Sequence, residues 1–267
     1  ISTAENRWWS DVLENGPSSH FAPYFDVEWD PPETRMRNTV LVPILADHYG
    51  RELERGALTV EREGARFRVR YHEHAYPVAP RSLSLLLGRA ARLAGSDALA
   101  FLADAFGELP RPTATDRASV RRRHRDKEIL RELLGRLLAE DGEAARAVDR
   151  AMAEINADPE ALHALLEMQM YRLAWWRAAG RDLGYRRFFD INTLIGLRME
   201  DEQVFADTHR LVLQWIGQGI LDGLRIDHPD GLRDPQEYFE RLRAAAPGAW
   251  IVAEKILERG EELPGTF

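Results

Sequence analysis

Asp227 and Glu254 are the residues best placed to do chemistry in this sequence, because each one ends a short apolar segment. Residues 221–227 and 249–254 are predicted strands, and residues 235–246 between them are predicted to form a helix. Strands joined through a helix are parallel and usually adjacent. Adjacent strands lie ~4.8 Å apart, which would bring the two carboxylates to within roughly 5–6 Å. That spacing is close to the ~5–5.5 Å of a retaining glycosidase pair.

A pair of carboxylates at this spacing could break and re-form a glycosidic bond. One would attack an anomeric carbon, while the other would first protonate the leaving oxygen and then deprotonate the acceptor. Arg225 lies two residues before Asp227 on the same strand face, where it can hold that carboxylate ionised and in position. Ligands of parallel α/β folds also bind at the carboxyl ends of strands. Spacing alone leaves a second interpretation open, in which both acids only cap helices or form salt bridges.

Further polar residues are predicted to contact a substrate. His228 and Asp230 follow the first strand in a loop, where we expect them to line an acceptor subsite; a metal site is the weaker alternative. Asp190 and Asn192 lie at another predicted strand end. The predicted substrate-binding set is Arg225, His228, Asp230, Lys255, Asp190 and Asn192.

Both strand motifs resemble those of the α-amylase superfamily, glycoside hydrolase family 13. Residues 222–232, with the letters DGLRIDHPDGL, resemble its nucleophile strand, and residues 251–256, with the letters IVAEKI, resemble its acid/base strand. Residues 8–19, 24–29 and 185–192 are similar to one branch of that superfamily. The similarity extends over most of the 267 residues.

The resemblance implies an α/β fold, as part of a (β/α)8 barrel of the α-amylase type with inserted helical and small β-hairpin subdomains. It implies that Asp227 is the nucleophile, Glu254 the general acid/base and Arg225 the partner of the nucleophile. The implied reaction is an intramolecular transglycosylation, which converts the reducing-end α-1,4 bond of a maltooligosaccharide to an α,α-1,1 bond. No metal or organic cofactor is implied, and a trehalose-releasing hydrolase is the implied functional partner. Another α-amylase-type hydrolase or transferase and a non-catalytic glucan-binding module remain as alternatives.

The remaining pattern divides the chain into three predicted regions. Residues 1–80 are predicted to hold a loop and a small α+β insertion after an early barrel strand, with a helix over 1–15, a strand over 39–45 and a hairpin formed by 58–62 and 66–71. Residues 81–180 are predicted to be a helical insertion, because leucine and alanine recur at helical spacing. In it, the basic run 121–125 is predicted to be a solvated helix face. Residues 181–267 are predicted to be the catalytic barrel segment with the two catalytic strands.

Composition excludes several classes of protein. The chain has 44 acidic and 36 basic residues, a net charge of −8, which argues against nonspecific nucleic-acid binding. It contains no cysteine, which fits a cytoplasmic location, and no apolar run approaches the ~20 residues of a membrane helix. The chain begins at Ile1 and ends at Phe267 without completing an element, so we expect an internal piece of a longer polypeptide. The superfamily's third catalytic carboxylate is expected beyond Phe267, and the isolated piece is therefore expected to be inactive.

Overall fold

A computed structural model describes residues 6–257 and 259–263. Both chain ends, on which the prediction of an internal piece rests, lie outside the described residues, as do the first five residues of the predicted N-terminal helix. The chain forms two compact units, Ile1–Gly196 and Leu197–Phe267. Within the described residues, no helix combines the length and the apolarity that a membrane crossing requires.

The first unit contains both helices and short strands. Its strands are β1 (Val40–Leu45), β2 (Leu58–Glu63), β3 (Arg66–Tyr71), β4 (His74–Pro77) and β5 (Tyr171–Trp175). Its helices are α1 (Arg7–Asn15), α2 (Tyr49–Glu54), α3 (Leu83–Ala94), α4 (Asp97–Gly107), α5 (Arg117–Glu140), α6 (Gly142–Ala157), α7 (Pro159–Leu166) and α8 (Ala179–Asp182). Single 3₁₀ turns cover Gly16–Ser18, Ala22–Tyr24, Thr34–Met36, Pro80–Ser82 and Trp176–Ala178.

The predicted hairpin is confirmed and is part of a three-stranded antiparallel sheet in the order β2, β3, β4. Gly64, with φ of 59°, supplies the left-handed turn between its first two strands. Phe67, Val69 and Tyr71 are buried on one face, whereas Arg66 and Arg68 are exposed on the other. The alternation of apolar and charged residues therefore predicted the two faces of β3 correctly, but β4 was not predicted.

The region 81–180, predicted to be a helical insertion, contains a strand near its C-terminal end. The last long helix of that region ends at Leu166, and β5 then pairs in parallel with β1, with Val40 opposite Tyr171 and Val42 opposite Leu173. Tyr171 and Leu173 are buried, as expected for alternate residues of a strand with one packed face. Backbone hydrogen bonds to a strand about 130 residues earlier outweigh the helical propensity of a five-residue segment that contains leucine and alanine.

A layer of helices packs around α3, and its member α6 contacts β2. Helix α3 contacts both α4 and α6 through buried side chains that include Leu86, Leu87, Leu99, Phe106 and Val148. Helix α5 joins the layer through Leu130 and Leu134. The leucine and alanine spacing that predicted helices is therefore confirmed from Leu83 to Leu166.

The second unit is the predicted βαβ arrangement. It consists of α9 (Glu202–Gly217), β6 (Gly223–Ile226), a 3₁₀ turn at Pro229–Gly231, α10 (Pro235–Ala245) and β7 (Trp250–Ala253). Strands β6 and β7 pair in parallel, with Gly223 opposite Trp250 and Ile226 opposite Ala253. Phe205 from α9 and Tyr238 and Leu242 from α10 form its buried core, against which Leu224, Ile226 and Ile251 pack.

Local chemistry explains where these elements begin. The Asp234 side chain accepts a hydrogen bond from the Glu237 amide and Pro235 occupies the first turn, so α10 begins as predicted. Gly223 permits the close approach of the strands, because a Cβ there would lie 2.3 Å from the carbonyl oxygen of Trp250. The fold is therefore mixed α and β, with parallel strand pairs in both units.

Candidate active site

The two predicted catalytic carboxylates lie at the same edge of the second unit's sheet. Strand β6 ends at Ile226 and β7 at Ala253, so Asp227 and Glu254 are the next residues on each strand. The Glu254 amide donates to the Ile226 carbonyl oxygen over 2.9 Å, which continues the parallel ladder to the acid itself. The expectation that both acids occupy the carboxyl end of a parallel pair is therefore confirmed.

Arg225 contacts both acids. Its Nη1 lies 2.7 Å from Asp227 Oδ1, and its Nη2 lies 4.0 Å from Glu254 Oε1. A guanidinium spreads one positive charge over a planar fork of nitrogens, so a single Arg225 side chain can attract both carboxylates. The Asp227 side chain is 60% exposed and that of Glu254 is 30% exposed. The predicted role of Arg225 as partner of Asp227 fits this geometry, while the predicted 5–6 Å separation of the carboxylates stays a prediction.

His228 reaches the acid/base candidate through its main chain. Its amide donates to Glu254 Oε2 over 2.8 Å. The residue has φ of 50° and ψ of 48°, a left-handed backbone conformation that residues other than glycine seldom adopt. Sequence reasoning assigned His228 to substrate binding and missed this backbone contact, because a left-handed histidine before a proline has no periodic signature.

Lys255 and Asp230, both predicted to bind substrate, pair with each other. Lys255 Nζ lies 3.1 Å from Asp230 Oδ2 and 2.8 Å from Glu261 Oε1. Hydrogen bonds to Glu261 and to Asp230 raise the pKa of Lys255. The loop after β6 is thus joined to the end of β7 at two points, through His228 and through Asp230.

Asp190 and Asn192 belong to the other unit and do not lie at a strand end. Two single β-bridges, Val27 with Tyr185 and Arg187 with Ile195, are found in this segment in place of the predicted strand. Asp190 and Asn192 lie in the turn between Arg187 and Ile195. Arg187 pairs with Asp190 over 2.8 Å and also donates to the Asn192 side chain. These side-chain contacts of Arg187 stabilise a turn at this position instead of a strand. Contact with substrate stays a prediction for both residues.

In the part of the chain that the structure describes, no three histidine, aspartate or glutamate side chains are grouped so that they could hold a metal ion. The polar groups around Asp227 and Glu254 instead pair among themselves through Arg225 and the Lys255–Asp230 contact. This edge therefore brings two carboxylates and one guanidinium together.

Comparison with known proteins shows what the chain is similar to. No protein-family model matches it. A putative maltooligosyl trehalose synthase of Mycobacterium tuberculosis (strain CDC 1551 / Oshkosh) is 30% identical over 264 residues, which is 98% of this chain and 23% of that protein. This chain resembles maltooligosyl trehalose synthases.

Solved synthases show the same similarity in three dimensions. The maltooligosyltrehalose synthase of Arthrobacter ramosus is 31% identical, with a TM-score of 0.60 over 99% of this chain and 24% of that one. A hypothetical maltooligosyl trehalose synthase of Sulfolobus tokodaii, 23% identical with a TM-score of 0.58 over 99% of this chain and 24% of its own, shows likeness of fold alone. The chain thus spans about a quarter of the length of the synthases that it matches. The predicted resemblance to a trehalose-forming enzyme is confirmed.

Proposed function

We propose that this chain carries two catalytic residues of a maltooligosyl trehalose synthase, which rejoins the reducing-end glucose of a maltooligosaccharide through an α,α-1,1 bond. The observation that carries the proposal is the pair Asp227 and Glu254, both in contact with Arg225 at one sheet edge, in a chain similar to these synthases over 98% of its length. No cofactor takes part, and a hydrolase that releases trehalose from the product is the matching partner activity.

In the first step, Asp227 attacks the anomeric carbon of the glucosyl unit next to the reducing end. The bond from that carbon to the O4 of the terminal glucose breaks as the bond to Asp227 forms. Glu254 donates its proton to O4, so the terminal glucose leaves as a neutral molecule. The 2.7 Å contact with Arg225 orients the Asp227 carboxylate for the attack.

In the second step, the released glucose returns through its own anomeric hydroxyl. Glu254, now a carboxylate, takes the proton of that hydroxyl, and its oxygen displaces Asp227 from the glucosyl carbon. Two inversions at that carbon leave its α configuration unchanged, and the new bond joins two anomeric carbons. Attack by water in place of the glucose would give hydrolysis, so retention of the glucose distinguishes this reaction from that of an amylase.

The (β/α)8 barrel belongs to the same proposal. Parallel strands of α/β proteins are normally covered on both faces. Strand β7, however, leaves Trp250 75% exposed and Val252 50% exposed. About three quarters of the length of the matched synthases lies outside the region that this chain matches. Corresponding elements of a longer polypeptide would cover these side chains by closing the barrel.

Two substitutions in the full-length polypeptide test the catalytic roles. Asp227→Asn should reduce turnover of maltooligosaccharides by several orders of magnitude while folding is preserved. Glu254→Gln should lose turnover of the same substrates, but it should still react with α-maltosyl fluoride, whose leaving group needs no proton, and accumulate a glycosyl–Asp227 ester detectable by mass spectrometry. Asp222→Asn, at the opposite end of β6, and Glu240→Gln, on the surface of α10, are the matched controls.

The product separates the proposal from its rivals. The proposal requires a non-reducing product. Its formation is measured as a loss of reducing ends that exceeds the amount of glucose released. Bulk release of reducing sugar by the wild-type protein would indicate an α-amylase-type hydrolase. Retained function in both Asp227→Asn and Glu254→Gln would indicate a glucan-binding module without turnover.

A further inference from the structure

In the loop that follows β6, the His228 ring occupies space that a side chain at Gly231 would otherwise fill. A Cβ at Gly231 would lie 2.8 Å from Cδ2 and 2.9 Å from Nε2 of the His228 imidazole. Both distances are well below van der Waals contact between such atoms. Gly231 does not have a positive φ, so the position requires glycine for space rather than for backbone freedom.

The main chain of this loop is held firmly where it approaches β7. The His228 amide is bonded to Glu254, and Asp230 is paired with Lys255. Within the loop, the Gly231 amide donates to the His228 carbonyl oxygen over 3.2 Å, and the Leu232 amide donates to that of Pro229 over 2.9 Å. A methyl group at position 231 would therefore displace the imidazole, whose end can rotate, before it displaced the backbone.

His228 lies next to the acid/base candidate, because its backbone amide contacts the Glu254 carboxylate. Glu254 protonates the leaving oxygen, so the released glucose stays next to Glu254 until it is rejoined or lost. The His228 backbone is 2.8 Å from that carboxylate, which places the residue at the border of the same space. The orientation of its ring then affects how well the glucose is retained.

We propose that Gly231 is a positioning residue: the space that it leaves lets the His228 imidazole lie against the loop, and this sets how often the released glucose is rejoined rather than replaced by water. The inference rests on the proposed function. It assigns no chemistry to Gly231 itself, which acts only through His228.

The experiment measures the ratio of glucose released to non-reducing product formed by the full-length protein and its variants. Gly231→Ala should raise that ratio several-fold, and His228→Ala should raise it similarly. Combining the two should add nothing further, because without an imidazole a methyl group at 231 displaces nothing. Gly248→Ala, at a glycine with open space around it, is the matched control and should leave the ratio unchanged.

Three results would overturn the inference: a wild-type ratio in Gly231→Ala, a wild-type ratio in His228→Ala, or an equally large effect of Gly231→Ala in the presence and absence of His228. If Gly231→Ala does not fold, the His228→Ala ratio decides. Failure of the proposed function is a separate result, in which the wild-type protein forms no non-reducing product. In that case a crystal structure of Gly231→Ala decides: an unmoved His228 ring contradicts the positioning role, and a rotated ring supports it.

Discussion

At the scale of single residues, Arg225 links the two acids of the site. Its guanidinium lies within ion-pair distance of both Asp227 and Glu254. The sequence predicted its contact with Asp227, because residues two apart on a strand share a face. It did not predict the contact with Glu254, since that depends on the register between β6 and β7, which only the folded pair defines.

Replacing Arg225 with lysine should show how much the planar fork contributes. Lysine keeps the charge but cannot direct two nitrogens toward two carboxylates at once, and we expect this change to cost about 1.5–3 kcal/mol, the range for interactions of charged groups. We therefore expect kcat/KM to fall by roughly 10- to 100-fold for maltooligosaccharides in the full-length protein. Arg233→Lys, in the following loop, is the control. Equal activity of Arg225→Lys and the wild-type protein would show that charge alone suffices.

At the scale of elements, buried charge joins α1 to α5. Glu14 pairs with Lys127 over 2.7 Å and also with Arg131. Burial would raise the pKa of Glu14, but the two cations outweigh it and lower this pKa to about 2. Arg123, which the sequence placed on a solvated face, is instead fully buried and donates to Asn15 and to the Pro110 carbonyl oxygen. The prediction for the run 121–125 is wrong at this residue, because charge pattern does not reveal which face of a helix finds a partner.

The Glu14 cluster predicts a dependence of stability on pH. A carboxyl whose pKa falls from 4.5 to about 2 on folding contributes stability that is complete above pH 4.5 and is lost as pH falls toward 2. The shift corresponds to about 3 kcal/mol. Urea unfolding of wild-type protein and Glu14→Gln should therefore differ most at pH 7, and the difference should shrink between pH 4.5 and pH 2. A difference that stays constant over that range would contradict this account.

The close pairing of β6 and β7 gives a second prediction at this scale. Gly223→Ala would place a methyl group 2.3 Å from a Trp250 backbone atom, which cannot move aside as a flexible side chain can. Overpacking of this kind costs about 1–3 kcal/mol, and we expect at least that loss in the free energy of unfolding of the second unit. Gly217→Ala, at the end of α9 with open space around it, should be neutral or stabilising. Equal stability of both variants would show that the strands separate without cost.

The sequence predicted those elements that depend on neighbouring residues and missed those that depend on distant contacts. The βαβ unit was predicted correctly because its capping Asp234, its Pro235 and two short apolar runs all lie within about 30 residues. Strand β5 was missed because only its distant partner β1 makes it a strand. The left-handed conformation of His228 was missed for the same reason, since the contact with Glu254 supports it.

At the scale of the whole molecule, exposed apolar side chains on β7 connect this chain to the longer synthases that it resembles. If further elements close a barrel, Trp250 must be protected in the full-length polypeptide and exposed in the isolated 267-residue chain. Oxidation of tryptophan followed by peptide mass spectrometry measures both states. Trp9, which is 1% exposed, should resist oxidation in both and so verifies that the isolated chain is folded. Rapid oxidation of Trp250 in the full-length polypeptide would contradict closure of the barrel over β7, while the pairing of Asp227 and Glu254 with Arg225 would stand unaffected.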